Sequence, residues 1–170
     1  MKFAVRILFA TILVAGMAAC AKKAVKPAPS AEPAPVAQTT PTESTGRYKV
    51  GDLDSDSCLR QRVVYFDLDQ TSIKPQFQAQ ISCHAEYLRQ FPNARVSLEG
   101  NADERGTREY NLGLGERRGN AVQSALSSAG AAFAQLTVVS YGEERPVDRG
   151  HDDSAWAKNR RVEIVYTSAN

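Results

Sequence analysis

Histidine is scarce in this 170-residue chain, with only His84 and His151 present. Two imidazoles cannot build a three-histidine zinc centre, and no serine-histidine-aspartate spacing stands out that would suggest a hydrolytic triad. Cysteine is almost as rare, at three. The adjacent Cys83-His84 is poorly placed for thiol chemistry, because neighbours on a helix point about 100° apart. An excess of one charge is also missing. The net charge is +2, and residues 1–46 hold five Lys/Arg against two Glu, hence +3, which leaves −1 for the remainder. A domain so near neutrality lacks the basic footprint that phosphate binding needs, so nucleic acid is a poor partner. The alternation Asp52, Asp54, Asp56 begins like a calcium loop. It then has Ser57 where the loop needs Gly and Val63 where it needs a bidentate Glu, so no metal is expected. No cofactor is expected either.

The N-terminus carries a targeting signal. Lys2 and Arg6 precede the uncharged, largely apolar stretch Ile7 to Met17. That stretch has the length of a signal-peptide core and is too short to span a bilayer. Met17-Ala18-Ala19-Cys20 resembles the bacterial lipobox, whose thiol receives a diacylglycerol before cleavage makes the cysteine the new N-terminus. The alternative is a conventional signal peptide with a coincidental cysteine. On the lipobox reading residues 1–19 are removed and Cys20 becomes the S-diacylglycerol, N-palmitoyl anchor, since two or three acyl chains hold a protein firmly on a membrane. Ala21 is not the Asp that marks inner-membrane retention, which implies the outer membrane, with the domain facing the periplasm.

Residues 20–46 form a linker rich in Pro, Ala, Thr and Ser, with almost no large apolar side chains. Such a segment cannot bury enough surface to fold. It is expected to act as a semi-stiff spacer, at roughly 3 Å per residue where it is polyproline-like. Cys58 and Cys83 are then an even pair in an oxidising compartment. A disulfide is the natural reading, with two free thiols as the alternative.

The domain at 47–170 shows alternating helical and strand periodicity. Arg62 to Phe66 is β-branched and aromatic, a strand. Pro75 opens a helix to about Phe91 with Phe77, Ile81, His84, Leu88 and Phe91 as its buried stripe, so His84 reads as a core residue. Arg95 to Glu99 is a second strand, with Val96 and Leu98 on one face. Thr107 is placed to cap a helix that Gly130 stops. Leu136 to Tyr141 is a third strand, Ser154 to Lys158 a helical turn, and Arg160 to Thr167 the last strand. The order β-α-β-α-β-β predicts an α/β (α+β) two-layer sandwich, a mixed sheet with helices on one face. Gly113, Gly115 and Gly119 fall inside the second helix, where each costs about 1 kcal/mol relative to Ala. Close packing against the sheet or against a ligand would justify them.

The loop Asn101-Ala102-Asp103-Glu104-Arg105-Gly106-Thr107 with Glu109-Tyr110-Asn111 is the most informative stretch. Together with Val64-Tyr65-Phe66, Leu114-Gly115-Glu116-Arg117-Arg118, Val139-Ser140-Tyr141-Gly142, Gly150-His151-Asp152 and Lys158-Asn159-Arg160-Arg161, it resembles the peptidoglycan-associated lipoprotein (Pal) family of OmpA-like domains. The resemblance runs from about Val63 to Tyr166. It implies non-covalent binding of peptidoglycan through diaminopimelate of the stem peptide, tethering of outer membrane to cell wall, and partnership with TolB and other Tol proteins in envelope integrity and cell division. Asp103 would take the ligand ammonium and Arg118 its carboxylate, with Leu68, Asp69, Arg105, Thr107, Asn111 and Leu114 lining the pocket. The family commonly has Phe where Leu68 stands and Pro where Arg108 stands. Physically, Asn111, Leu114 and Arg118 fall at i, i+3 and i+7 on one helix face. A carboxylate and a guanidinium close together complement the two charges on the distal carbon of diaminopimelate. Arg160 and Arg161 read as supports for the loop carboxylates. A peptidoglycan-cleaving enzyme is the competing class; it would need a nucleophile with its base, a metal cluster or paired catalytic carboxylates, and none stands out.

Overall fold

The computed structural model describes residues 46–170. The expected signal peptide, the expected lipid anchor at Cys20 and the expected spacer before Gly46 lie outside the described residues. The element order is α1 (Asp52–Ser55), β1 (Val63–Tyr65), α2 (Gln78–Gln90), β2 (Arg95–Asn101), α3 (Arg108–Ser128), β3 (Leu136–Gly142), α4 (Asp153–Asn159) and β4 (Arg161–Ser168). The four strands form one sheet ordered β1-β4-β2-β3, with β2 and β3 parallel and the other two pairs antiparallel. This is the expected mixed sheet. Short 3-10 turns at Pro75–Phe77 and Phe133–Gln135 lead into α2 and β3.

Register divides the sheet into two faces. Val64, Val162 and Gly100 are in line, as are Leu98 and Ile164, and these residues meet the helices in the core. The helix side contributes Ile81, Ala85, Leu88, Val122 and Leu126, so the buried stripe of α2 lies where its 3.6-residue periodicity puts it. Phe91, expected on that stripe, is only partly buried at the helix end. α1 was not foreseen: Leu53 alone turns inward from a polar segment. Cys58 and Cys83 are joined in a disulfide that ties the segment before β1 to α2. Beside it, His84 bridges the Gln61 carbonyl (3.0 Å) and the Tyr166 hydroxyl (2.9 Å).

α3 lies against the sheet at very short range. A Cβ on Gly115 would stand 2.4 Å from Ser140 Oγ and 2.8 Å from the Gly100 carbonyl, and one on Gly119 2.5 Å from Val138 Cγ1. These two glycines are therefore explained by packing on β2 and β3. Gly113 is not, since its Cβ would meet only the far end of Arg117. The close approach brings the first half of α3 over the ends of β2 and β3, and the site forms at that end of the sheet.

Candidate functional site

A cavity of about 220 Å³ opens at that end of the sheet. It is smaller than the roughly 300–1,000 Å³ of pockets for drug-sized ligands, and so suits a group of amino-acid size. Four segments build it: Leu68 and Asp69 after β1, Asp103, Arg105 and Gly106 after β2, Tyr110, Asn111, Leu114 and Arg118 from α3, and Arg160 before β4. The single face of α3 inferred from spacing does line the cavity. Thr107 does not; it caps α3, its hydroxyl oxygen accepting from the Tyr110 N–H at 3.2 Å. Capping turns its side chain back onto the start of α3 and away from the cavity lining.

Arg118 is fully buried. Its guanidinium donates to the carbonyls of Gln70 (2.9 Å), Asn101 (2.9 Å) and Asp67 (3.0 Å). A guanidinium has five N–H groups, so two remain without a partner among the described residues, on a side chain that lines the cavity. Burial, and then the charge of Arg160, pull its pKa down to about 10, which leaves it protonated at neutral pH. This one side chain bonds both loop segments to α3.

Asp103 is less free than the resemblance implied. One oxygen accepts from the backbone N–H and Nε of Arg105, both at 3.1 Å. The other accepts from Arg105 Nη2 (2.7 Å) and Arg160 Nη1 (3.0 Å). A carboxylate offers about four acceptor positions, and here all are engaged. Burial would raise its pKa, but the bonds from Arg105 and Arg160 outweigh that and hold it below the usual carboxylate range. Asp103 and Arg118 share the cavity without bonding each other. Arg105 is also braced from behind, its guanidinium 4.1 Å from the Trp156 ring centre. The Trp156 indole donates to Glu104 at 2.8 Å, and His151 meets the same carboxylate.

Across the cavity Asp69 has a left-handed backbone, φ 58°, a conformation that Asp tolerates better than most residues. Its carboxylate accepts from the Tyr110 hydroxyl, which closes one wall of the cavity. Leu68 is 53% exposed at the rim, and Leu114 is buried beneath. Asn111 donates to the Arg105 carbonyl at 3.2 Å and to Glu143, fastening the loop to α3. Arg108, in place of a helix-opening Pro, pairs with Glu144 outside the cavity.

Sequence reasoning missed Gly106 and Tyr110 as lining residues, and read Arg160 as a support for the loop carboxylates, which is the bond it makes to Asp103. Gly106 has φ 112°, where a side chain is strained, and a glycine inside a polar loop was the available signal. Tyr110 sits beside Asn111 but on the edge of the face counted by helical spacing. Arg161, given the same reading, diverges from it: it is buried and binds Glu163 and the Arg145 carbonyl instead.

The OmpA family matches this chain over residues 65–160. The peptidoglycan-associated lipoprotein of Pseudomonas putida is 51% identical over 115 residues, 67% of this chain and 69% of that protein. The peptidoglycan-associated lipoprotein of Haemophilus influenzae is 44% identical over 124 residues, 73% of this chain and 78% of that protein. Among solved structures, the crystal structure of the peptidoglycan-associated lipoprotein from Burkholderia pseudomallei superposes with a TM-score of 0.66 at 49% identity, covering 68% of this chain and 98% of the other. The C-terminal domain of Helicobacter pylori MotB shares the fold at 22% identity, with a TM-score of 0.57 over 62% of this chain and 84% of the other.

Proposed function

The chain belongs to the OmpA family, and we propose that it is an outer-membrane lipoprotein whose periplasmic domain, residues 47–170, binds peptidoglycan non-covalently through diaminopimelate of the stem peptide. Residues 1–19 would be removed, Cys20 would carry the acyl chains, and residues 20–46 would span from membrane to wall. The protein would thereby tether the two layers, with TolB and other Tol proteins as partners in envelope integrity and division. It would bind without turning over the wall.

The observation that carries this reading is Arg118: a buried, charged guanidinium that lines an amino-acid-sized cavity and has two N–H groups unbonded among the described residues. A ligand carboxylate satisfies those groups, and the charge-assisted bonds gain strength from burial. The distal ammonium of diaminopimelate would then face Asp103 and Asp69. Because Asp103 is saturated, Arg105, the more exposed of its two cations at 33% against 13% for Arg160, is the one to yield.

The test is sedimentation with purified sacculi, alongside an assay for released muropeptides. Wild-type protein is expected to bind diaminopimelate-containing sacculi, to bind lysine-containing sacculi more weakly because lysine lacks the distal carboxylate, and to release nothing. Arg118→Lys should fold, since three ammonium donors can serve three carbonyls, but should bind at least about tenfold more weakly for want of the two spare donors. Asp103→Ala should lose a similar amount. Equal binding to both wall types would overturn the diaminopimelate assignment.

A further inference from the structure

Resting on the peptidoglycan reading, we infer that Arg160 is the positioning residue of the cavity: it fixes the Asp103 carboxylate to the end of β1. Of the two arginines on Asp103, Arg105 is two residues away in the same loop. Its bonds stiffen that loop but cannot determine where the loop sits on the sheet. Arg160 is 57 residues away and reaches Asp103 Oδ2 with Nη1 at 3.0 Å. Its Nε donates to the Phe66 carbonyl at 3.1 Å. The Phe66 N–H in turn donates to the Arg160 carbonyl at 2.9 Å. Arg160 and Phe66 are thus bonded in both directions, by side chain and by backbone, and Phe66 is a core residue at 1% exposure. The Arg160 guanidinium is pinned at its base and carries the hold from a rigid strand end to a loop carboxylate.

The same arrangement sets the charge of the cavity. Asp103 faces Arg105 from its own loop, Arg160 from the start of β4 and Arg118 from α3, with Glu104 beside it and Asp69 across the cavity. With Arg105 free to leave, Arg160 is the arginine still bonded to Asp103, and it holds the carboxylate in place for an arriving ammonium. Its neighbour Arg161 does none of this, since its bonds run to Glu163, Asn159 and Arg145.

Two measurements on the full chain, purified in detergent, decide the matter. The first follows the Asp103 side-chain carboxyl carbon by NMR against pH without ligand, in wild type, Arg160→Ala and Arg160→Lys. The midpoint should rise in Arg160→Ala and return part of the way in Arg160→Lys, whose ammonium still reaches Asp103. The second is sedimentation with diaminopimelate-containing sacculi. Arg160→Ala should bind at least about tenfold more weakly, and Arg160→Lys should recover most of the loss. An unshifted midpoint in Arg160→Ala overturns the inference whatever the sacculi show. So does a shifted midpoint with unchanged binding, or an equal loss in both variants. If wild type itself ignores sacculi, the peptidoglycan reading fails instead, while the midpoint still reports whether Arg160 holds Asp103.

Discussion

Two buried nitrogen bases in this domain are treated in opposite ways, and the difference lies in what surrounds each. Arg118 keeps its charge because three carbonyls accept from it. His84 has one carbonyl, from Gln61, and one hydroxyl, from Tyr166. A carbonyl can only accept, so Nε2 carries a proton, and in the neutral ring Nδ1 accepts from the Tyr166 hydroxyl. Burial, aided by the Arg62 charge and opposed by the Gln61 bond, pulls its pKa down to about 4 from 6.5. The unfolded chain therefore binds a proton that the folded one refuses. Stability is complete above pH 6.5 and falls as pH drops from 6.5 towards 4, by about 3 kcal/mol in all. Asp103, whose pKa is depressed, adds a loss of the same sign, but only below the ordinary carboxylate range. In His84→Gln the slope of stability between pH 6.5 and 4 should flatten by about one proton. Urea unfolding at several pH values measures this, and an unchanged slope would show that His84 is charged in the fold.

At the scale of elements, α3 is the member on which the site depends, and its glycines separate packing from permissiveness. Gly115→Ala must push its Cβ into Ser140 Oγ and the backbone of Gly100. The backbone cannot yield cheaply, so a loss of about 1–3 kcal/mol is expected, with the cavity displaced along with the helix. Gly113→Ala meets only the mobile end of Arg117, at 3.2 Å. It should gain up to about 1 kcal/mol from helix propensity. Thermal melts of the two variants should move in opposite directions. The helices and strands themselves were legible because periodicity reports which face is buried, and Val96, Leu98, Val162 and Ile164 alternate cleanly. Thr107 and Gly130 marked the ends of α3 through cap chemistry. What stayed hidden depends on partners far away in sequence. Nothing local to Arg118 reveals that the carbonyls of Asp67, Gln70 and Asn101 would claim three of its donors. Nothing local to Asp103 reveals that, of Arg160 and Arg161, only Arg160 would reach it. α1 was hidden for a different reason: a four-residue helix with one apolar side chain has no period to read.

On the scale of the whole domain, the cavity and the entry of the N-terminal segment lie at opposite ends of the sheet. Tyr48 is bonded to Gln90 at the end of α2. Tyr87 reaches the Ala169 carbonyl, beyond β4. The register places Arg95 opposite Ser168 at that end, while Asn101 and Arg161 lead into the cavity at the other. β2 alone, with seven residues, separates the two ends by about 20 Å. If membrane and wall are held at these ends, tension enters at Tyr48 and runs towards β1. That strand has three residues, sits at the sheet edge and bonds only to β4. Directly after it come the carbonyls of Phe66, Asp67 and Gln70, which hold Arg160 and Arg118. Peeling β1 would therefore dismantle the cavity. The Cys58–Cys83 disulfide stands before β1 and diverts the load into α2. Closing a loop of 25 residues, it should contribute about 3 kcal/mol to equilibrium stability. The double variant Cys58→Ala, Cys83→Ala should lose that amount in urea unfolding and still bind sacculi at rest. Pulled by its N-terminus from a sacculus-coated surface, it should detach at lower force than wild type, with an added extension as residues beyond Cys58 are drawn out. Equal detachment forces and extensions for the two proteins would mean that the load never reaches β1, and that the disulfide serves stability alone.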